Sequence, residues 1–504
     1  MSSTSPSPVI PTEAEGRGWT RFTRRYLRAL FAAPAFLLAG CMVGPRYVRP
    51  TVQAPPAFKE PLPTYKEDGP WHTAQPADEF SKGDWWLMFH DDGLNQLEPQ
   101  IATTNQTLRQ ADANLQAARA QIRINRADLY PTVGAAPFAG GERLSGSRPY
   151  ANSAAPGQGS ADLRLPGQIS WEIDLFGRIR RTVNIAREET QASAADLANT
   201  RLSLQAELAN DYFELRAADA QRKLLYDTVA QYQEAVRVTN NRFVGGVSAK
   251  SDLTQAQTQL QAAKVLASDI DVARAQFEHA IAVLVGKAPA EFSLAAAPLS
   301  TTPPVIPPGL PSELLERRPD IAAAERRTNE ANERIGIARA AYFPSLNLAG
   351  SIGYESIAAS TLFDSSSFIY AVGPTLSQTI FDVGRRRGYS EQAFADFNGA
   401  TANYRQVSLT AYQQVEDNLA ALRILADEAE QQHGAVLAAQ ESQRIFNNRY
   451  VGGVDTYLQV ITAQTLALNN ERNEIDILRR RMDSSVQLIR ALGGGWDMTQ
   501  LPKS

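Results

Sequence analysis

One cysteine and four histidines are the side chains of this sequence best suited to metal binding or covalent chemistry. The histidines lie far apart and share no spacing typical of metal ligands: His72, His90, His279 and His433. A single cysteine excludes a disulfide framework and a zinc ribbon. We find no glycine-rich phosphate loop and no serine–histidine–aspartate set. The sequence therefore predicts no catalytic residues, no metal site and no enzyme activity.

The single cysteine, Cys41, stands where it could carry a lipid. Five arginines precede an apolar run from Ala29 to Gly40, which is too short to span a bilayer. A basic segment followed by such a run is typical of a secretory signal. The run ends Leu-Ala-Gly-Cys, which resembles a bacterial lipobox. We predict a signal peptide at 1–40 and a covalent lipid on Cys41, with no other cofactor; the alternative is a chance cysteine after a signal peptide.

Composition and charge limit the partners of the chain. The 504 residues carry 50 Lys+Arg against 54 Asp+Glu, a formal net charge of −4. This balance gives no reason to expect a nucleic-acid partner. The mature chain has no run of 18 apolar residues, so we expect no membrane-spanning helix. Met42 follows the cysteine; an aspartate there favours inner-membrane retention of lipoproteins, so Met42 favours the outer membrane.

The chain contains an internal repeat with a constant offset of 207 residues. The matching pairs include Gly177 and Gly384, the segments 241–247 and 448–454, and Gly286 and Gly493. We predict one repeat at 93–286 and the other at 312–496, joined by a proline-rich connector at 287–311. A lipidated extended segment at 41–92 precedes them, and a tail at 497–504 follows. An offset that holds over more than a hundred residues indicates one structural unit used twice.

Each repeat is expected to contain one very long helix. The stretches Arg178–Val244 and Arg385–Val451 lack proline and would each extend about 100 Å. A narrow apolar stripe along them, including Leu204 and Leu208, favours coiled-coil-like packing. Second helices are expected at about 250–285 and 456–492. Shorter helices at about 94–129 and 321–342 precede proline in each repeat.

A Val-Gly-Gly-Val turn separates the long helix from the second helix in each repeat. Glycine supplies the positive φ angles that a tight reversal needs. We predict that the two turns form a periplasmic docking end. Their residues are Val244, Gly245, Gly246 and Val247, and Val451, Gly452, Gly453 and Val454.

Four segments alternate between apolar and polar residues, as strands do. They are 168–176, 344–354, 368–381 and the weaker 132–143, with polar loops at 145–162 and 355–367. Strands of about ten residues suit a membrane β-barrel, but four cannot close one, and lipid does not tolerate an open edge. Three chains would supply twelve strands. The predicted fold is therefore mixed α/β: a trimeric 12-stranded β-barrel, four strands per chain, continued by a long α-helical barrel.

Several motifs closely resemble the outer membrane factor family of TolC-like channels, in its lipoprotein branch of the OprM/NodT type. They are Cys-Met-Val-Gly-Pro-Arg-Tyr at 41–47, the segment 309–321, Phe-Pro-Ser at 343–345 and Arg-Tyr-Val-Gly-Gly-Val-Asp-Thr-Tyr-Leu at 449–458. The resemblance covers essentially the whole mature chain. It implies a homotrimer in the outer membrane lipid and a periplasmic α-barrel that closes at its tip. It also implies a periplasmic adaptor protein and an inner-membrane pump of the resistance-nodulation-division (RND) type.

The resemblance implies that the chain is the outer-membrane exit channel of a tripartite efflux pump, passing small molecules or drugs to the outside. It also implies a pore gate at Asp455 and Tyr457. Two other functions stay open: the outlet of a type I protein-secretion system, and a non-conducting structural envelope lipoprotein. Asp455 could instead cap the following helix, as could its repeat partner Ser248.

Two further motifs have a structural and a functional interpretation. Trp85 and Trp86 could lie at a membrane interface, but we expect them to pack against the proline-rich connector. The run Arg317-Arg318-Pro319-Asp320 could bind an anion. We expect it to form a structural turn in which Asp320 caps the next helix.

Overall fold

The helices and strands of this chain form two corresponding sets, one from each repeat. The computed structural model describes residues 42–60, 84–143, 159–299, 302–306, 311–496 and 498–502. The predicted signal peptide, Cys41, and parts of the extended segment, of the loop at 145–162 and of the connector lie outside the described residues.

Eight α-helices and five strands occur in the described residues. The helices are α1 (Asp92–Thr104), α2 (Gln106–Ala127), α3 (Arg178–Val244), α4 (Lys250–Leu284), α5 (Leu314–Arg317), α6 (Pro319–Ala340), α7 (Arg385–Val451) and α8 (Tyr457–Ala491). The strands are β1 (Thr132–Ala135), β2 (Phe138–Arg143), β3 (Gly159–Ile173), β4 (Ser345–Ser356) and β5 (Phe368–Ser377). Two short 3₁₀ turns, Ala359–Thr361 and Ser365–Ser367, lie in the loop between β4 and β5.

The two long helices, α3 and α7, begin and end at the predicted residues. Just before each helix an aspartate accepts hydrogen bonds from free amides of its first turn. Asp174 accepts from the Arg180 amide at 2.9 Å, and Asp382 accepts from the Arg386 amide at 3.2 Å. A carboxylate at this place satisfies orphan amide groups and suits the positive end of the helix dipole. The two copies therefore start their long helices in the same way.

The helix predicted at 94–129 is wrong as one element, because the chain breaks it at Asn105. This residue has an extended backbone (φ −65°, ψ 125°) between α1 and α2. Its side-chain oxygen accepts from the Leu108 amide at 2.9 Å, and its side-chain amide donates to the Leu284 carbonyl at 2.8 Å. Asn105 thus caps α2 and ties it to the end of α4, far along the sequence.

The strands form one antiparallel sheet, and the two short strands β1 and β2 act as a single interrupted strand. Both pair with β3. Two residues lie between Ala135, which ends β1, and Phe138, which begins β2, and two residues also lie between their partners on β3, Gly167 and Arg164. The interruption contains Pro137, which has no amide hydrogen to donate. The order is therefore β1/β2, β3, β4, β5, which matches the predicted four strands.

The strand ends differ from those predicted. β3 begins at Gly159, within the predicted loop, and ends at Ile173 rather than at residue 176. β5 ends at Ser377 rather than at residue 381. Alternation alone predicts both strands too long, because each strand ends where its cross-strand pairing ends. The last pairs are Ile173 with Leu346 and Ser377 with Ser345.

The described residues form two compact units, and each unit contains parts of both repeats. The first contains the sheet, with residues 121–186 and 330–397; the second contains 48–120, 187–329 and 398–504. Each long helix contributes its first residues to the first unit and the rest to the second. The compact units therefore do not coincide with the sequence repeats. The predicted repeat boundaries remain a prediction.

The core of the second unit lies on the predicted apolar stripes. Leu208 and Leu215 of α3 and Val415 and Leu422 of α7 are fully buried. Trp85 and Trp86 are buried in the same cluster, with their rings edge to face at 6.0 Å. The proline-rich connector contributes Ile306 to that cluster. The packing interpretation of the tryptophan pair is confirmed.

The run at 317–320 is a structural turn, as expected. The Arg318 guanidinium is buried and pairs with Asp320 at 2.7 Å, with the Gln414 side chain at 2.9 Å and with the Ala491 carbonyl at 2.9 Å. Asp320 lies in the first turn of α6 and accepts from the amide of Ile321 rather than capping the helix from outside. The arginine is fully engaged, so its charge is not available to an anion.

Glu98 is the most unusual buried side chain in the second unit. It lies on α1, has no exposed surface, and its carboxyl oxygens have no hydrogen-bond partner among the described residues. Burial raises the pKa of Glu98 well above its ordinary value because the charged form loses its hydration. Folding therefore favours the protonated acid.

We expect Glu98→Gln to stabilise the protein at neutral and alkaline pH. A folded pKa above the unfolded one gives stability that is complete below the unfolded value and is lost as pH rises towards the folded value. Each unit of that difference costs about 1.4 kcal/mol. Thermal unfolding of the purified protein, followed from about pH 4 to about pH 8, measures the effect. The glutamine variant should flatten the decline, and the exposed-site control Glu430→Gln should not; equal pH dependence in Glu98→Gln and the parent would contradict the assignment.

Candidate functional site

The two Val-Gly-Gly-Val segments, here called the tip turns (residues 244–247 and 451–454), have the same backbone geometry. The second glycine of each lies in the left-handed region, Gly246 at φ 75° and Gly453 at φ 76°. The Val247 amide donates to the Arg242 carbonyl at 2.8 Å, and the Val454 amide donates to the Arg449 carbonyl at 2.9 Å. This is the glycine-terminated helix end that satisfies the last free carbonyl groups.

The apolar side chains of the tip turns are exposed to solvent. Val244 is 77% exposed, and Val247, Val451 and Val454 are each more than 60% exposed. A side chain built at Gly246 or Gly453 would meet no atom within 4 Å. Four exposed valines on two short turns form an apolar surface of the kind that partner proteins cover.

An arginine joins the two tip turns. Arg242, at the end of α3, donates to the carbonyl groups of Tyr450 at 3.2 Å and Val451 at 3.4 Å. Its guanidinium also lies 4.7 Å from the centre of the Tyr450 ring. Arg242 is a functional candidate that the sequence marks only through its place in the repeated Asn-Arg-aromatic motif.

The predicted gate residue Asp455 forms an ion pair rather than a helix cap. Both its oxygens accept from the Arg449 guanidinium, at 2.6 and 3.2 Å. Helix α8 begins at Tyr457 after Thr456, and no side chain caps it. The hydrogen bond from Arg449 holds the pKa of Asp455 below its ordinary value, so the carboxylate stays charged at neutral pH. The capping interpretation of Asp455 is therefore wrong.

The repeat partner of Asp455 also does not cap a helix. The Ser248 hydroxyl donates to the Thr239 carbonyl of α3 at 3.4 Å, and Ala249 precedes α4 without a side-chain cap. Arg242 and Arg449 occupy equivalent positions but differ in partner, because only the second repeat has a carboxylate after the turn. The tip turns are thus alike in backbone and different in charge.

The second predicted gate residue, Tyr457, is buried. It packs with Tyr450, Ala256 and Val460, with the two tyrosine ring centres 5.1 Å apart. Burial raises the pKa of Tyr457 to about 12. In the single chain Tyr457 is a packing residue beside the turn, and its role in a gate stays a prediction.

A cavity of about 620 Å³ lies next to the tip turns, between α3, α7 and α8. Tyr450 and Gln464 line it, and among the described residues the Tyr450 hydroxyl and the Gln464 side-chain oxygen have no hydrogen-bond partner. Exposed polar residues, among them Glu234 and Arg444, line its outer part. The Tyr450 and Gln464 atoms are buried, so the exposed polar residues of the outer part are the ones that a second protein segment could contact.

Neither a metal site nor a membrane-spanning helix is found in the part of the chain described. No group of three or more histidine, cysteine, aspartate or glutamate side chains is placed there to hold an ion. None of the helices described there combines the length and the apolar character needed to cross a bilayer.

The predicted lipidation site, Cys41, lies outside the described residues, but the residues after it are firmly held. The Val43 amide donates to the Phe176 carbonyl at 3.2 Å, and the Val43 carbonyl accepts from Arg181 at 3.0 Å. Arg181 is buried and pairs with Glu333 at 2.9 Å. The chain is therefore fixed at the start of α3, within three residues of Cys41.

Comparison with known proteins gives a family model and close relatives. The family model for outer membrane efflux proteins matches residues 98–287 and 310–494. The chain is 33% identical over 468 residues to a probable efflux pump outer membrane protein of Pseudomonas putida, TtgC, covering 92% of this chain and 95% of the relative.

Solved structures agree with the fold. The outer-membrane channel OprN is 30% identical, with a TM-score of 0.80 over 90% of this chain and 100% of that one. The open state of the Neisseria gonorrhoeae outer membrane channel MtrE is 29% identical, with a TM-score of 0.77 over 90% and 98% of the two chains. The predicted fold class is confirmed by these neighbours: long helices built on two repeats, with strands that belong to a trimeric outer-membrane barrel.

Proposed function

This chain belongs to the outer membrane efflux protein family, and we propose that it forms a passive exit duct whose periplasmic end docks onto other pump components. It is an outer-membrane protein and the outer-membrane channel of an efflux pump. Family members are channels rather than enzymes. In the proposal, the chain catalyses no reaction, and the energy for export comes from another protein.

One observation carries the duct proposal. The four-stranded sheet has two edge strands, β1/β2 and β5, without a partner among the described residues of the chain. Lipid does not hydrate free backbone amides and carbonyls, so such a sheet enters a membrane only when it is closed into a barrel. Three copies supply twelve strands, enough for an open lumen.

The tip turns are the proposed docking end for a periplasmic adaptor protein. Their exposed valines offer apolar contacts, and their glycines let a partner backbone approach closely. The cavity next to that surface offers polar contacts through the exposed residues of its outer part, among them Glu234 and Arg444. The adaptor would in turn hold an inner-membrane pump of the RND type, which fits the efflux names of the relatives.

Chemical crosslinking in cells tests these partners. Trimers crosslinked in the membrane and purified through a tag should carry an adaptor and an RND-type pump, identified by mass spectrometry. A variant with Val244 and Val451 changed to aspartate is the matched control, since it alters the tip turns only. Recovery of a secretion-type inner-membrane transporter instead would favour the protein-secretion outlet and contradict the proposal.

A lipid on Cys41 is proposed as a second membrane anchor. The residues that follow are fixed at the start of α3, so the lipid would enter the membrane beside the sheet. We expect mass spectrometry of membrane-extracted protein to find a mature chain that starts at Cys41 with a diacylglyceryl group and an acyl chain such as palmitate. We further expect Cys41→Ser, secreted by a conventional signal peptide, to trimerise, because the barrel itself inserts. A mature start elsewhere without lipid would contradict the proposal.

A further inference from the structure

The free edges of the sheet expose apolar side chains. On β1, Val133 is 79% exposed, and just after β5, Ile380 is 86% exposed. Val383, two residues before α7 begins, is 85% exposed. In the part of the chain that the structure describes, neither edge strand has a second neighbouring strand. In the trimeric barrel described above these edges must meet another copy, and the repeat determines how.

The two hairpins of the sheet have the same register. In the first, Thr132 lies opposite Ser170; in the second, Ser345 lies opposite Ser377. The first strands are thus 213 positions apart and the second strands 207 positions apart. The same two offsets relate the pairs of the first hairpin, from Thr132 with Ser170 as far as Gly141 with Ala161, to pairs of the second.

The attachment of each hairpin to its preceding helix obeys the same offsets. The Trp171 indole donates to the Leu129 carbonyl at 3.0 Å. The Gln378 side-chain amide donates to the Tyr342 carbonyl at 3.1 Å. Positions 171 and 378 differ by 207, and positions 129 and 342 differ by 213. The two repeats therefore place their hairpins alike.

Within one chain the hairpins are joined through β3 and β4, whose pairing runs from Leu163 opposite Ser356 to Ile173 opposite Leu346. Beside this junction Phe176 stacks on Phe343, with ring centres 4.7 Å apart. This junction is the one contact between repeats within the sheet of a single chain. A closed ring of repeats must repeat it between chains.

We infer that β5 pairs with β1/β2 of a neighbouring copy in the register obtained by moving the β3–β4 junction by the two offsets. Ile380 then lies opposite Val133, Thr375 opposite Phe138 and Tyr370 opposite Arg143 of the neighbour. The inference rests on the trimeric barrel in the proposed function and adds the residues that join its chains.

This register covers the exposed apolar groups. Ile380 and Val133 correspond to Ile173 and Leu346, which are half-buried where they meet within the chain. Val383 and Tyr130 correspond to Phe176 and Phe343, the stacked pair. Tyr130 is 58% exposed in the single chain, so contact with Val383 of the adjoining copy would bury both side chains.

The pairing also explains why β5 is short. β3 continues to Ile173 because it has β4 as a partner, whereas β5 ends at Ser377. The position of β5 that corresponds to Ile173 is Ile380. Pairing with the neighbour supplies backbone partners for residues 378–380 and extends β5 to that residue.

Paired cysteines test the register. Trimers carrying Val133→Cys with Ile380→Cys should form covalently linked dimers and trimers on mild oxidation, because directly opposite residues lie within disulfide reach. The matched control, Ala135→Cys with Ile380→Cys, is shifted by two residues on the same face and should not link, since diagonal neighbours are about 7–8 Å apart. Single-cysteine variants report any linkage through Cys41.

A second pair, Phe138→Cys with Thr375→Cys, applies the same test on the opposite face of the sheet, since both residues lie five positions from those of the first pair. Assembly of each variant into trimers is measured first, in detergent, by size. Linkage through both predicted pairs supports the register. Linkage of the shifted pair, or assembled trimers in which neither predicted pair links, overturns it. Trimers that link as predicted but conduct no ions would retain the register and refute the exit duct.

Discussion

Changing Gly246 and Gly453 together to leucine is expected to abolish drug efflux while the trimers still assemble. Both glycines have positive φ in the tip turns, where a leucine costs about 1–2 kcal/mol per residue in backbone strain. Both positions are open, so an added side chain stands out from the turn rather than disturbing the core. The added bulk would block close approach of the adaptor. Minimum inhibitory concentrations in a strain that lacks its own channel, with trimer amounts measured in parallel, provide the test.

The matched control is the double change of the same glycines to asparagine. Asparagine accepts the left-handed conformation more readily than leucine does and adds a smaller side chain. We expect the asparagine variant to retain more efflux than the leucine variant at equal trimer amounts. Normal drug resistance in the leucine variant would refute the assignment of the tip turns as the docking end.

Changing Asp455 to asparagine is expected to alter conductance and weaken the preference for cations. In a trimer three such carboxylates would lie near one axis, where fixed charges select among ions. The structure adds Arg449, whose guanidinium neutralises Asp455 within the chain. The asparagine variant therefore loses three negative charges and leaves three arginines without their carboxylate partners. Conductance and reversal potential in planar bilayers measure the effect, with unchanged thermal stability expected because the ion pair is exposed.

Arg449→Gln is the matched control because it breaks the same ion pair with the opposite change of charge. If charge at the tip controls the pore, Arg449→Gln should strengthen the cation preference and Asp455→Asn should weaken it. If the ion pair acts only by holding the turn closed, both variants should raise conductance in the same way. Selectivity and conductance identical to the parent in both variants would remove Asp455 from the gate.

Local sequence patterns predicted the elements whose stability is local. The bounds of α3 and α7 follow from long stretches without proline, ended by glycine, and both were predicted to the residue. The tip turns follow from glycine, since few other residues adopt positive φ. The repeat offset predicted that both copies would share these features, and the backbone hydrogen bonds of the two turns agree.

Features that depend on distant contacts were not predictable in this way. Asn105 breaks a helix that its neighbours would continue, because its side chain binds the Leu284 carbonyl, 179 positions away. The ends of β3 and β5 depend on where partner strands end. The family resemblance implies a gate role for Tyr457, which stays a prediction, but no sequence pattern indicates that Tyr457 packs against Tyr450 within the chain. Position along a motif does not reveal which way a side chain points.

Asp455 illustrates the limit for the candidate site. A polar residue just before a helix commonly caps it, and that pattern predicted a cap. The nearby Arg449 competes for the same carboxylate, and its positively charged guanidinium adds an attraction that a neutral backbone amide lacks. The sequence contains both residues, six positions apart, but only the fold of the turn brings them together.

Conductance of the purified protein in planar lipid bilayers tests the exit duct most directly. The account predicts that purified trimers insert without any partner and produce discrete, stable conductance steps. It also predicts that these steps change when Asp455 is replaced. Trimers that insert into the bilayer and remain electrically silent, in the parent and in every tip variant, would contradict it and favour a structural lipoprotein.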